Sequence, residues 1–214
     1  MNRLWNLSVC CLLPLAILTC GCQSAPMSGV APAVRQLPAD ARQHVHVIFV
    51  DSPVDAMQVG DIPGISEYVR CNGIPNVHYY NAYSEGSGSW ISEKIRCIRR
   101  SDPCAKIMVV GWSYGTLIAL QALEEIECEG LCIDTLVHLD SCVLDFTNQG
   151  ARPRNVRRVV LIYRSNNEPS NIPFDALYLV EENFHLRLPK KRRAMDALMT
   201  EIWRLTGYLP GQMN

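Results

Sequence analysis

The chain has 214 residues, 48% of them hydrophobic, and its 20 Lys and Arg against 21 Asp and Glu leave a formal net charge of -1. That is enough apolar material for one globular domain with a sizeable core. Nothing in that near-neutral balance predicts nucleic-acid binding.

The N-terminus is a separate unit. Asn2 and Arg3 supply a positive start, and the apolar stretch from Leu7 to Leu18 is too short to span a bilayer. Residues 1–22 therefore read as a signal peptide. Leu18-Thr19-Cys20-Gly21-Cys22-Gln23-Ser24 resembles a bacterial lipobox, in which a small residue precedes a cysteine that is lipidated and becomes the mature N-terminus. The resemblance implies lipidation at Cys22, with Cys20 as a rival, and places the protein in the cell envelope, anchored by lipid. Cleavage without lipidation, giving a secreted protein, is the alternative. Residues 23–42 are rich in Ala, Pro and Ser without a sustained period, and predict a flexible tether. Residues 43–214 form the domain.

Within the domain, Val45 to Val50 alternates and then runs apolar, the mark of a strand entering a buried parallel sheet. A short helix is expected over Gly64 to Cys71, stopped by Asn72-Gly73, then a strand from Val77 to Tyr80. Ser89 or Ser92 would cap a helix carrying Trp90, Ile91, Ile95 and Ile98. A strand from Ile107 to Val110 meets Gly111-Trp112-Ser113-Tyr114-Gly115 and turns at once into a helix with Leu117, Leu120 and Leu123, ending by Gly130. Three more strands follow, at Thr135 to Leu139, Arg158 to Tyr163 and Ala176 to Val180, and an amphipathic helix covers Lys190 to Thr206. About six strands alternating with helices predict an α/β fold: a mostly parallel sheet with helices on both faces and no large lid.

Six of the ten cysteines, Cys71, Cys97, Cys104, Cys128, Cys132 and Cys142, belong to the domain. In an oxidising compartment such an even set predicts disulfides, with Cys97–Cys104 and Cys128–Cys132 the locally closable pairs. No Cys-x-x-Cys and no suitably spaced histidine accompanies them, so no metal is expected.

In Gly-x-Ser-x-Gly between strand and helix, the glycines serve a strained turn that leaves no room for a Cβ and thrusts the serine out at its tip. On these residues, 111–115, the sequence resembles the α/β-hydrolase superfamily, and the resemblance extends from about His44 to Gly207. It implies a nucleophile at Ser113 and, a few residues beyond the last strand, a base at His185. The acid is open between Asp140, at the end of the strand after the elbow helix, and Glu168, one residue beyond the superfamily's more usual place, with Asp145 third. Leu139-Asp140-Ser141 is similar to the Leu-Asp-Pro of a group of small bacterial α/β proteins, which favours Asp140. The oxyanion hole would take the Tyr114 N–H and a second donor from Ser52 or Val54, since Pro53 has no N–H to give. Trp112 and Tyr114 would wall an acyl pocket or pack the turn. Lys190-Lys191-Arg192-Arg193 reads as a solvated helix start, with a membrane surface as its rival.

The expected function is a membrane-tethered serine hydrolase of carboxylic esters or thioesters. It acts on a small or lipid-like acyl substrate, through an acyl-enzyme and without a cofactor. The alternatives are a non-catalytic binding or scaffold module on the same fold, and an acyltransferase.

Overall fold

The computed structural model describes residues 30–85, 88–145, 152–169 and 172–208. The signal peptide and Cys22 lie outside them. Strand β1 (Val45–Val50) is buried at every position, as is β4 (Ile133–Leu139), and β3 (Lys106–Trp112) is buried from Ile107 onward. Strands apolar on both faces must be covered on both, and that favours a parallel sheet. With β2 (Asn76–Tyr80), β5 (Val156–Arg164) and β6 (Ala176–Val180) they form a six-stranded sheet in the order β2-β1-β3-β4-β5-β6, every pair parallel.

Alternate residues of each strand feed two layers. Val47 and Phe49 pack with Val69 of α3 (Ile62–Cys71) and with Met199 and Ile202 of α7 (Arg192–Leu205). Ile48 and Val50 face the other way, onto Ile91 and Ile95 of α5 (Ser89–Ser101) and Ala119 and Leu123 of α6 (Gly115–Glu127). A four-residue helix, α4 (Ala82–Glu85), follows β2. The predicted α/β architecture is the one observed.

Three local expectations need correction. Of the flexible tether expected over residues 23–42, residues 23–29 lie outside the described residues, and the remainder enters α1 (Val30–Gln36) and α2 (Ala39–Gln43). Ala31 and Val34 are fully buried in the layer that contains α7, and Arg42 donates to Leu37 O at 3.0 Å and to Gly73 O. Helix α5 starts after Gly88 with no side-chain cap: the Ser92 hydroxyl donates to Ser89 O and to Glu125 instead. The two locally closable pairs do not form: Cys97, Cys104, Cys128 and Cys132 are free thiols. Cys97 and Cys128 turn back on their own helices, to Glu93 at 3.4 Å and Glu125 O at 3.3 Å, rather than toward a partner sulfur. Among the described residues no group of His, Cys, Asp and Glu is placed to hold a metal, and no helix is long and apolar enough to cross a membrane.

The order of strands positions the site. The chain steps from β1 outward to β2, then returns past β1 to β3, so a crevice opens between the carboxyl ends of β1 and β3. The opposite, amino edge is tied by charge. Asp134 at the start of β4 accepts from Arg99 at 3.2 Å and Arg157 at 3.1 Å, and fully buried Glu201 pairs with Arg158 at 2.8 Å and Tyr178 at 2.7 Å.

Candidate active site

At the carboxyl end of β3 the backbone passes through Ser113 with φ 52°, a left-handed conformation that a residue with a Cβ adopts only when its surroundings impose it. Two close approaches impose it. A Cβ at Gly111 would lie 2.5 Å from Thr116 Cα, and one at Gly115 would fall against the backbone of β1, 2.6 Å from Asp51 O and on Val50 O. The Thr116 hydroxyl donates to Gly111 O at 2.8 Å and shares a short hydrogen bond with Ser141, bracing the turn from below. Both glycines are therefore steric requirements. Gly115→Ala is expected to cost about 2 kcal/mol or more, because the atoms it meets are main chain and cannot swing aside. A urea melt measures this; an unchanged midpoint would mean that β1 and α6 are free to separate.

Ser113 is 4% exposed, and its own amide donates to Leu139 O at 3.1 Å. Among the described residues its hydroxyl makes no hydrogen bond. Its neighbours are reached through Trp112. That indole, expected either to wall a pocket or to pack the turn, is 1% exposed and lies beneath the site, with the His185 imidazole stacked on it at 5.3 Å between centroids and 15° between planes. Gly60, in the loop after β1, closes over the same ring, where a Cβ would come within 2.7 Å of it. Tyr114, the other flanking aromatic, is 45% exposed.

His185 is held from its far side. Its Nδ1 lies 2.7 Å from Asp140 Oδ2, and with Nδ1–H donating there the neutral ring presents Nε2 as the free acceptor. Asp140 stands at the end of β4, fully buried, at φ 45°. The same oxygen, Oδ2, accepts from Arg164 Nε at 2.7 Å, and Arg164 also donates to Asn183 O at 3.1 Å, two residues before His185. Arg164 thus bridges the carboxylate and the loop that carries the imidazole. The sequence alone assigned this arginine no role in the site. The available signal was a cation at the end of one strand beside an aspartate ending the next. Glu168 is exposed in the turn beyond Arg164 and makes no hydrogen bond or ion pair with His185, whose carboxylate partner is Asp140. Asp145 ends a 3-10 turn over Cys142–Asp145.

On the oxyanion side, Tyr114 immediately precedes α6, where N–H groups have no intrahelical acceptor. The Ser52 amide is engaged: it donates to Asp51 Oδ1 at 2.7 Å, while Tyr79 OH donates to Asp51 Oδ2 at 2.6 Å. Asp51 is 1% exposed, and burial pushes its carboxyl above the usual range against the opposing pull of these two donors. A buried carboxylate followed by Pro53 takes the nearest N–H it can, which is why Ser52 faces Asp51 rather than the elbow. Val54 is 71% exposed. The rest of this loop is tied by Asp55, which accepts from the Val59 and Gly60 amides at 2.8 Å each.

The arrangement offers a hydroxyl on a strained turn at the carboxyl edge of the sheet, an imidazole oriented by a buried carboxylate, and a helix N-terminus. No family model matches this sequence. No curated protein matches it at a significant level. Among solved structures it is similar to the NocB thioesterase domain from the nocardicin cluster, with a TM-score of 0.42 at 12% identity over 79% of this chain and 97% of that one. The same domain in covalent complex with a fluorophosphonate nocardicin G analog gives 0.43 at 11%, with the same coverage.

Proposed function

We propose that this protein is a serine hydrolase of the α/β-hydrolase type that cleaves carboxylic esters or thioesters through an acyl-enzyme. The observation that carries the reading is the strained Ser113 turn beside an imidazole whose Nδ1 is 2.7 Å from a fully buried carboxylate. Ser113 Oγ attacks the acyl carbon as His185 Nε2 takes its proton, and the imidazolium gives that proton to the departing alkoxide or thiolate. Water then attacks the acyl-enzyme by the same path in reverse. Asp140 keeps the working tautomer and balances the imidazolium charge. The Tyr114 N–H, at the positive end of α6, meets the oxyanion. A second donor comes from the loop after β1, by way of Val54 or of Ser52 once Asp51 has released it. No cofactor enters this scheme.

With it goes a location. A lipid on Cys22 would hold the domain at the surface of the cell envelope, as the lipobox-like residues suggest.

The second reading is a non-catalytic binding module on the same fold. It is favoured by the absence of a hydrogen bond between Ser113 and His185 and by the capture of the Ser52 amide. A fluorophosphonate probe separates the two. Covalent labelling of the wild type, lost in Ser113→Ala, is the expected result. A folded wild type that takes up no probe moves the conclusion to the binding module.

A further inference from the structure

Large apolar side chains left in water are spread unevenly over this molecule. Val54, Met57 and Val59 after β1, Tyr114 after β3, and Phe184 and Leu186 after β6 are between 41% and 87% exposed. All six follow carboxyl ends of parallel strands, so they crown one edge of the sheet. Among the described residues Tyr83 and Trp90, after β2, are exposed as well, and Phe174, just before β6, is the exposed large apolar residue on the amino edge, which ion pairs otherwise hold. The crown is continuous at the loops after β1 and β6: Gly60 and His185 both pack on Trp112, and Lys190 Nζ donates to Val59 O at 2.9 Å. Exposed apolar residues gathered on one face mark a surface that meets another apolar phase.

Charge beside the crown says which phase. The stretch from Glu181 to Asp196 carries Arg187, Lys190, Lys191, Arg192 and Arg193 against Glu181, Glu182 and Asp196. Lys191 is paired with Glu182 at 2.6 Å and Arg192 with Asp196 at 3.7 Å. Among the described residues Arg187, Lys190 and Arg193 have no carboxylate partner, and the Arg187 guanidinium lies over the Phe184 ring at 5.0 Å. A cation seated on an aromatic ring that itself protrudes is arranged to meet a headgroup while the ring enters the acyl boundary.

We infer that the carboxyl edge of the sheet docks on an anionic lipid bilayer, with Phe184, Leu186 and the loop after β1 immersed and the three cations that lack a carboxylate partner at the phosphates. The inference stands on the surface alone and does not require Ser113 to be reactive; if Ser113 is reactive, the substrate it meets there is an acyl ester presented by the bilayer.

The test uses the chain from residue 23 onward, since both core layers lie within residues 31–202. Co-sedimentation with phosphatidylcholine vesicles containing phosphatidylglycerol, and not with phosphatidylcholine alone, is expected. Arg187→Gln, Lys190→Gln and Arg193→Gln together should weaken it by about fivefold per charge removed. Bromolipid should quench a Trp introduced by Phe184→Trp and leave one introduced by Phe174→Trp unaffected. No binding to the anionic vesicles, equal binding to both kinds, a triple variant that binds as wild type, or equal quenching at the two positions would each overturn the inference. None of these outcomes depends on probe labelling, so the docking surface and the hydrolase reading fail separately.

Discussion

Asp140→Asn is expected to slow fluorophosphonate labelling of Ser113 by roughly 10³- to 10⁴-fold, while Glu168→Gln labels at the wild-type rate. The two carboxylates differ in what they touch. Asp140, itself fully buried, has Oδ2 2.7 Å from His185 Nδ1, and Glu168 is exposed. An amide at position 140 can donate as well as accept, so it no longer dictates which imidazole nitrogen keeps its proton. Arg164 adds a second effect. Its Nε loses the anion it meets at 2.7 Å, with its side chain only 15% exposed, and an orphaned buried charge costs about 3 kcal/mol. Asp140→Asn should therefore lower the urea midpoint as well as the labelling rate. Adding Arg164→Gln should restore part of the stability and none of the rate. Labelling of Asp140→Asn at the wild-type rate would remove this carboxylate from the mechanism; loss on Glu168→Gln would transfer the role.

Acid is expected to destabilise the protein well before its carboxylates are protonated. His138, on β4, is 2% exposed, its Nδ1 has no partner, and burial lowers its pKa to about 4. His78 on β2 is lowered to about 4, chiefly by burial and then by Lys94, His46 and Arg70. The unfolded chain binds protons at these sites near pH 6.5, and the folded chain only near 4, so protonation favours unfolding throughout that window. Stability is at its full value above pH 6.5, falls as the pH drops toward 4, and has lost roughly 3 kcal/mol to His138 by the lower limit. His78 is less enclosed and contributes less. Urea melts at pH 7 and pH 4.5 measure the loss, and His138→Leu, which removes both the proton site and the orphaned nitrogen, should flatten it. A pH-independent wild type would mean that the buried imidazole is solvated or paired.

The parts of the fold written in local pattern were readable in advance. Val45–Val50 and Ala176–Val180 have the predicted bounds because a short, predominantly apolar run flanked by turn residues has one sensible use in a parallel sheet. The elbow was readable because its two glycines answer to contacts within the motif's own strand, turn and helix, and with the strand beside it. Helix α1 was not: Pro32 and Pro38 break up the stretch, and the reason Ala31 and Val34 are buried is α7, about 165 residues away in sequence. The Arg164 bridge escaped for the same reason, since it joins the ends of two strands to a loop after a third. The cysteines misled because parity and compartment say nothing about direction, and the thiols of Cys97 and Cys128 point along their own helices.

The packing of α1 against the layer of α7 sets a radius. If Cys22 carries a lipid, only the residues between it and Val30 separate the membrane from the folded body, and a chain of that length spans at most about 28 Å when stretched straight. A tether running to residue 42 would have let the domain sweep a hemisphere more than twice as wide. With the short leash, the volume it can search is smaller by roughly an order of magnitude, and the local concentration of anything in that membrane rises in proportion. On that condition the domain stays beside its own anchor, and Ala31→Asp, by prising α1 away, would lengthen its reach without touching the site.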